Sequence, residues 1–243
     1  MKRHTMKKFL AVAVASFSLM TAAQASLLGR NINGGAVAGS DPSAVFLYDT
    51  TLNITWLANA NLAAIEDFGV RFIDPTGYTD SVSALKWIGA MNAADYLGFN
   101  NWRLPTTLQP DPSCSRQDGL GSRGLNCRGG EMGHLFYDEL GGTPNQDIAT
   151  THNTNYGLFQ NFQSAGFVYR SGTAAGSQGS GSTWEFDFGK GAQFSGRNLN
   201  GAFMLAVRPG DVLTSAVPEP QTWALTLAGL GVVAGAMHRR KLV

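Results

Sequence analysis

The order of apolar and polar positions divides the middle of the chain into short elements. Residues 44–48 and 54–58 are two apolar runs separated by the polar turn Asp49-Thr50-Thr51, a pattern that predicts two strands joined as a hairpin. A glycine-rich lead-in, residues 34–39, precedes them. Over residues 80–97 the period lengthens. Leu85, Ile88 and Met91 fall on one helical line, with Trp87, Ala90, Ala94 and Leu97 on its neighbour. This predicts a helix with Asp80 or Ser81 as N-cap and Gly98 as its stop. A second helix is expected over 130–140, where Met132, Leu135, Phe136 and Leu140 share a face and Gly141-Gly142 ends it. Strand-like pieces follow at 167–170, 183–188 and 202–207. In the middle one Trp184, Phe186 and Phe188 alternate with Glu185 and Asp187, which places three aromatics on a buried face. Residues 171–182, rich in Gly, Ser and Ala, read as a mobile surface loop. Strands flanking two helices, without a strand-helix-strand rhythm, predict an α+β domain with a mostly antiparallel sheet and long loops.

The two ends follow different rules. At the front, Lys7 and Lys8 precede the apolar run 9–20, and the small-residue pattern Ala23-Gln24-Ala25 stands before Ser26. That is the form of a secretory signal peptide over residues 1–25, cut between Ala25 and Ser26. The run is about a dozen residues, too short to cross about 30 Å of hydrocarbon. At the back, Val217-Pro218-Glu219-Pro220 leads into a run apolar from Trp223 to Met237, and the basic cluster Arg239-Arg240-Lys241 follows. Residues 221–237 would span roughly 25 Å as a helix, the lower limit for a transmembrane segment. The basic cluster holds that end on the cytoplasmic side, so the body, residues 26–213, lies outside.

Separating the ends changes the charge. The chain is +1 overall, but seven of its eighteen basic residues lie in the termini; the body carries eleven basic and sixteen acidic residues, about −5. An acidic, Lys-poor body argues against a nucleic-acid partner, which requires a basic face.

A Pro-Glu-Pro triplet, one short apolar segment and a terminal basic cluster, in that order over residues 214–243, resemble the PEP-CTERM sorting signal. The resemblance implies processing by an exosortase, a membrane-embedded cysteine protease or transpeptidase of Gram-negative bacteria that make extracellular polysaccharide. This chain would be the substrate, held transiently in the inner membrane and then delivered to the cell surface or beyond. The two prolines keep the triplet extended and stop the helix from growing into it.

Four elements of the body carry a second resemblance: Tyr48-Asp49 with Ile54-Thr55-Trp56-Leu57-Ala58; Asn101-Trp102-Arg103-Leu104-Pro105-Thr106; Gly130-Glu131-Met132-Gly133-His134-Leu135-Phe136-Tyr137; and Ala206-Val207-Arg208-Pro209-Gly210-Asp211. Over residues 44–212 they are similar to the Lcl C-terminal-like domain family, whose function is largely unassigned. Its members resemble C-type-lectin-like and formylglycine-enzyme-like folds, so that architecture is expected here. Read from the residues alone, Trp102 and Leu104 bury area, Pro105 ends a strand, and Arg103 bonds backbone carbonyls or an inner carboxylate.

Candidate chemistry in the body is sparse. Cys114 and Cys127 are the only cysteines and lie in a polar, glycine-rich, irregular insert. In an oxidising compartment they read as a disulfide, since no second cysteine pair or histidine cluster adjoins them. Asp111, Asp118, Glu131, Asp138 and Glu139 gather in sequence around the insert. Without calcium-loop spacing, and without the Glu-Pro-Asn tripeptide of calcium-dependent lectins, they read as solvated acidic residues. His134 and His152 have no partner spaced for metal binding or a triad. Residues 176–181 lack the Lys-Ser/Thr of a P-loop. The expectation is therefore a non-catalytic surface module with no metal and no cofactor, for adhesion or association with exopolysaccharide. The alternatives are a carbohydrate-binding lectin-like domain or a matrix-polymer hydrolase.

Overall fold

The computed structural model describes residues 27–164, 166–176, 181–196 and 201–213. The signal-peptide segment and its Ala25/Ser26 junction, the sorting motif and residues 221–237 lie outside them. In chain order the body opens with strands β1 (Leu27–Arg30), β2 (Ala36–Val37), β3 (Phe46–Asp49) and β4 (Ile54–Leu57), followed by helix α1 (Ser81–Ala93). Strands β5 (Arg116–Asp118) and β6 (Gly121–Leu125) come next, then helices α2 (Glu131–His134) and α3 (Ile148–Thr151). Strands β7 (Val168–Ala174), β8 (Thr183–Asp187), β9 (Ala192–Gly196) and β10 (Val207–Pro209) complete it.

Two five-stranded antiparallel sheets result, in the orders β10-β4-β3-β1-β2 and β5-β6-β9-β8-β7. The α+β expectation holds in this coarser form: the β-structure is divided between two sheets, with three α-helices among the described residues. The expected hairpin is β3–β4, in register from Phe46↔Leu57 to Asp49↔Ile54.

The first sheet is buried on both faces, which is why β4 reads Ile-Thr-Trp-Leu with no solvent-facing position. Leu47, Trp56, Leu205 and Val207 point to one core, with Met132, Leu135, Phe136, Tyr169 and Phe186. Phe46, Leu57, Met204 and Ala206 point to the other, with Trp87, Met91, Trp102 and Leu104. Each fully buried Leu, Phe or Met contributes roughly 1.5–3 kcal/mol. Residues 202–207 therefore alternate between two cores. They link the two sheets, Phe203 bridging to Tyr169 of β7 and Val207 lying in β10, rather than forming one continuous strand.

Helix α1 starts where its cap predicts: the Asp80 carboxylate accepts from Val82 N and Ser83 N at 2.8 and 2.9 Å. It stops at Ala93, four residues short of the expected end, because Asp95 and Leu97 take left-handed backbone and Tyr96–Gly98 forms a separate 3₁₀ turn. Leu85, expected on the buried line, is exposed, and the helix packs instead through Ala84, Trp87, Ile88 and Met91. Trp87 Nε1 donates to Glu66 O at 2.9 Å, which lets the indole sink completely.

Residues 171–174, read from sequence as part of a loop, continue β7. Ser171 is fully buried and its hydroxyl donates to Pro105 O at 2.8 Å. The alternation in β8 also conceals something. Trp184, Phe186 and Phe188 are buried, but so is Glu185 at 2% exposure. Glu185 stands directly across from Arg170 on β7, with the guanidinium 3.2 Å from the carboxylate and Arg170 fully buried.

Candidate functional site

The insert between Pro112 and Gly130 is less irregular than its composition suggests. It folds into the β5–β6 hairpin and joins the second sheet through Gly124↔Gln193 and Leu125↔Ala192. At the turn, Gly121 has φ 100°, and an added Cβ would stand 2.9 Å from the Trp184 ring, so backbone and indole meet there without an intervening side chain. Cys114 and Cys127 are joined as a disulfide across a sequence separation of 13. Asp111, expected to be solvated, is 1% exposed. Its carboxylate accepts from Ser113 N at 3.0 Å and Gly129 N at 2.9 Å, so it ties the two ends of the insert beside the bridge. Replacing both cysteines with serine is expected to lower stability by about 3 kcal/mol. Urea unfolding of wild type and double variant measures this; an unchanged midpoint would mean that the Asp111 contacts alone hold the insert.

The Trp102-Arg103-Leu104-Pro105 element is scaffold, as expected. Trp102 and Leu104 are buried, and Asn92 holds the Trp102 backbone from both sides, at 2.9 and 2.8 Å. Arg103 grips Glu131 with two hydrogen bonds of 2.7 and 2.6 Å and also donates to Leu104 O. Glu131 accepts from Thr106 N at 2.7 Å as well. The bidentate pair thus fastens the start of α2 to the extended segment, with the carboxylate in the helix's first turn, where the dipole favours it.

What α2 carries is the most unusual constellation of polar groups in the body. After one α-turn the chain widens into a π-turn, Leu135–Glu139, closed by Leu140 N donating to Leu135 O at 2.9 Å. Gly133 makes the approach possible, since any Cβ there would collide with Cys127 O. The π-turn brings Glu139 beside His134, five residues earlier, with Glu139 Oε1 3.2 Å from His134 Nε2. Asp49, at the end of β3, supplies Oδ2 at 3.6 Å from the same nitrogen. On the ring's other side His134 Nδ1 lies 3.2 Å from Asp138 Oδ2. Asp138 is itself paired with Arg128.

The side chains of Asp49 and Glu139 are both 0% exposed and that of His134 is 10% exposed. Asp49 Oδ1 accepts from Thr51 N and Leu52 N at 3.0 and 2.9 Å, whereas Asp49 Oδ2 and Glu139 Oε2 have no hydrogen-bond partner. Burial works against a charged imidazole, but the hydrogen bond to Glu139 and the charges of Asp49, Asp138 and Glu139 outweigh it. They hold the His134 pKa above its ordinary value. The sequence reading gave His134 no partner and placed Glu139 in solvent; both points are corrected here. Helical spacing at i+3 or i+4 does not pair residues 134 and 139, and Asp49 lies far away in sequence. Of the five acidic residues, Asp118 and Asp138 remain exposed, paired with Arg123 and Arg128. His152 stacks on Tyr156, with ring centroids 4.4 Å apart.

The sorting motif at the back of the chain is addressed by comparison with known proteins. Residues 216–241, which include Val217, Pro218, Glu219 and Pro220, match the PEP-CTERM protein-sorting motif. The chain carries a PEP-CTERM sorting signal. That motif implies an exosortase-sorted protein, exported, anchored transiently in the membrane and processed for the cell surface or the extracellular space. No curated protein and no solved structure matches the chain. Among the described residues no helix is long and apolar enough to cross a membrane.

Proposed function

We propose that this is an exported, non-catalytic surface protein whose body serves as an adhesion or exopolysaccharide-associated module. The PEP-CTERM match at residues 216–241 is the observation that carries the reading. In it, residues 1–25 direct export and the tail holds the chain in the inner membrane until the exosortase acts. The arrangement of the body's ends agrees with this. The first and last strands, β1 and β10, lie in one sheet, and Arg30 on β1 grips Asp211 through two hydrogen bonds of 3.0 and 2.8 Å. Asp211, two residues before the last described residue of the body, is thus fastened to its first strand.

A carbohydrate-binding role, of the lectin-like kind expected from the family resemblance, is the second reading. It is favoured by one surface. Glu66, Asp67 and Asp74 line a cleft of about 280 Å³ with Ile65 and Pro75. Ile65 is 72% exposed at the cleft's edge. Exposed apolar side chains beside a concave polar surface mark interaction sites. Co-sedimentation of the processed protein with purified exopolysaccharide tests both readings. Ile65→Ala, at a lining residue that is largely exposed, is expected to weaken binding at least tenfold without changing stability or processing. Binding unaffected by Ile65→Ala would remove the cleft from consideration, and no binding by the wild type would end the polysaccharide reading.

A further inference from the structure

We propose that Asp49, His134 and Glu139 bind one divalent first-row transition ion, for which Zn²⁺ is the natural probe. Four features of the centre point there, none of which depends on the sorting signal.

The first is spacing. Nitrogen and oxygen ligands held about 2.0–2.2 Å from a tetrahedral zinc stand roughly 3.3–3.5 Å from one another. His134 Nε2 is 3.2 Å from Glu139 Oε1 and 3.6 Å from Asp49 Oδ2. One ligand atom from each of the three residues lies within 4.8 Å of the other two.

The second is unused valence. Asp49 Oδ2 and Glu139 Oε2 are buried without a hydrogen-bond partner, a condition that costs free energy and calls for an explanation in each instance. Two buried carboxylates also exceed by one charge what a single imidazolium can balance, whereas a divalent cation balances both.

The third is the outer shell. Asp138 Oδ2, 3.2 Å from His134 Nδ1, is placed to accept the Nδ1 proton, so that Nε2, which faces the two carboxylates, is the nitrogen left for a metal. This carboxylate–histidine arrangement orients a metal-bound imidazole and raises its basicity. Arg128 holds Asp138 in turn, and the amides of Thr51 and Leu52 lock Asp49 with Oδ2 toward the ring.

The fourth is ligand chemistry. One imidazole nitrogen with two carboxylates suits zinc and its first-row neighbours, whereas calcium requires six to eight oxygens. The π-turn that brings residues 134 and 139 together is a local irregularity found frequently at functional sites. Bound there, the ion ties the turn after β3 to α2, elements that otherwise meet through apolar packing.

The processed, exported protein is stripped with chelator, dialysed against buffer containing Zn²⁺ and then against metal-free buffer, and measured by elemental analysis and titration calorimetry at pH 7.5. The expected result is one equivalent of zinc per chain and a melting temperature that rises with zinc. Glu139→Gln, nearly isosteric, should weaken binding at least 100-fold. Asp138→Asn changes an exposed residue that the fold tolerates and should weaken binding 10- to 100-fold, so it carries the test if Glu139→Gln does not fold. Less than a tenth of an equivalent in the wild type, or full affinity in a folded Glu139→Gln protein, overturns the proposal. So does zinc lost only on His152→Asn.

Discussion

Alanine in place of Pro218, Glu219 and Pro220 is expected to abolish tail processing, leaving full-length protein in the inner-membrane fraction. The reason lies in chain geometry. Proline fixes φ and lacks an N–H, and it pushes the preceding residue into extended backbone. From the sequence, two prolines around Glu219 are expected to keep a short extended segment ahead of the apolar run, the form a protease cleft accepts, and alanines to remove that restraint. Fractionation and immunoblotting of the triple variant measure the effect. A tail truncated after Val217 provides the opposite control and should be secreted freely. Processing of the alanine variant at the wild-type rate would show that the triplet is not what the enzyme reads.

The second large effect lies in the body. Arg170→Met removes the ion-pair partner of Glu185 while keeping most of the side-chain volume, and is expected to destabilise the fold by about 3–5 kcal/mol. The cost is that of a carboxyl group buried without its cation, which has to keep its proton to stay there. Replacing both residues with Met and Leu should restore much of the loss, because apolar pairs of similar volume are often neutral at such sites. Burial raises the Glu185 pKa from an ordinary 4.5 to about 7 against the opposing pull of Arg170. The folded state thus keeps a proton that the unfolded chain releases. The stability this provides is complete below about pH 4.5 and is lost as the pH rises to about 7. Urea unfolding should accordingly show wild type losing stability across that window and Glu185→Gln losing less. A pH slope unchanged by Glu185→Gln would contradict the assignment.

How much of this was legible in the sequence varies with the range of the interaction. The β3–β4 hairpin, the Asp80 cap and the disulfide are local or compositional, and each was readable from a short window. Arg103 was expected to bond backbone carbonyls or an inner carboxylate, and it does both, at Leu104 O and Glu131. The β5–β6 hairpin was not legible, because Arg116–Asp118 and Gly121–Leu125 carry almost no apolar alternation and pair through backbone and small side chains. Leu85 was misassigned because the buried stripe, Ala84, Trp87, Ile88 and Met91, draws on both lines and leaves Leu85 on its edge. Glu185 looked like the wet side of an alternating strand; its burial depends on Arg170 arriving from β7 and on material covering that face. The His134 centre was the least legible. It needs a π-turn, which breaks the helical periodicity, and a carboxylate from a hairpin far back in the chain.

The whole account turns on the terminal segments being addresses that are removed, with the body delivered outside. Intact-mass and peptide mass spectrometry of protein recovered from the cell surface or medium reports this directly. The account predicts an N-terminus at Ser26 and a C-terminus within or just before Val217-Pro218-Glu219-Pro220, with residues 221–243 absent. A surface-recovered chain that still ends at Val243, or one beginning with residues 1–25 intact, would contradict it.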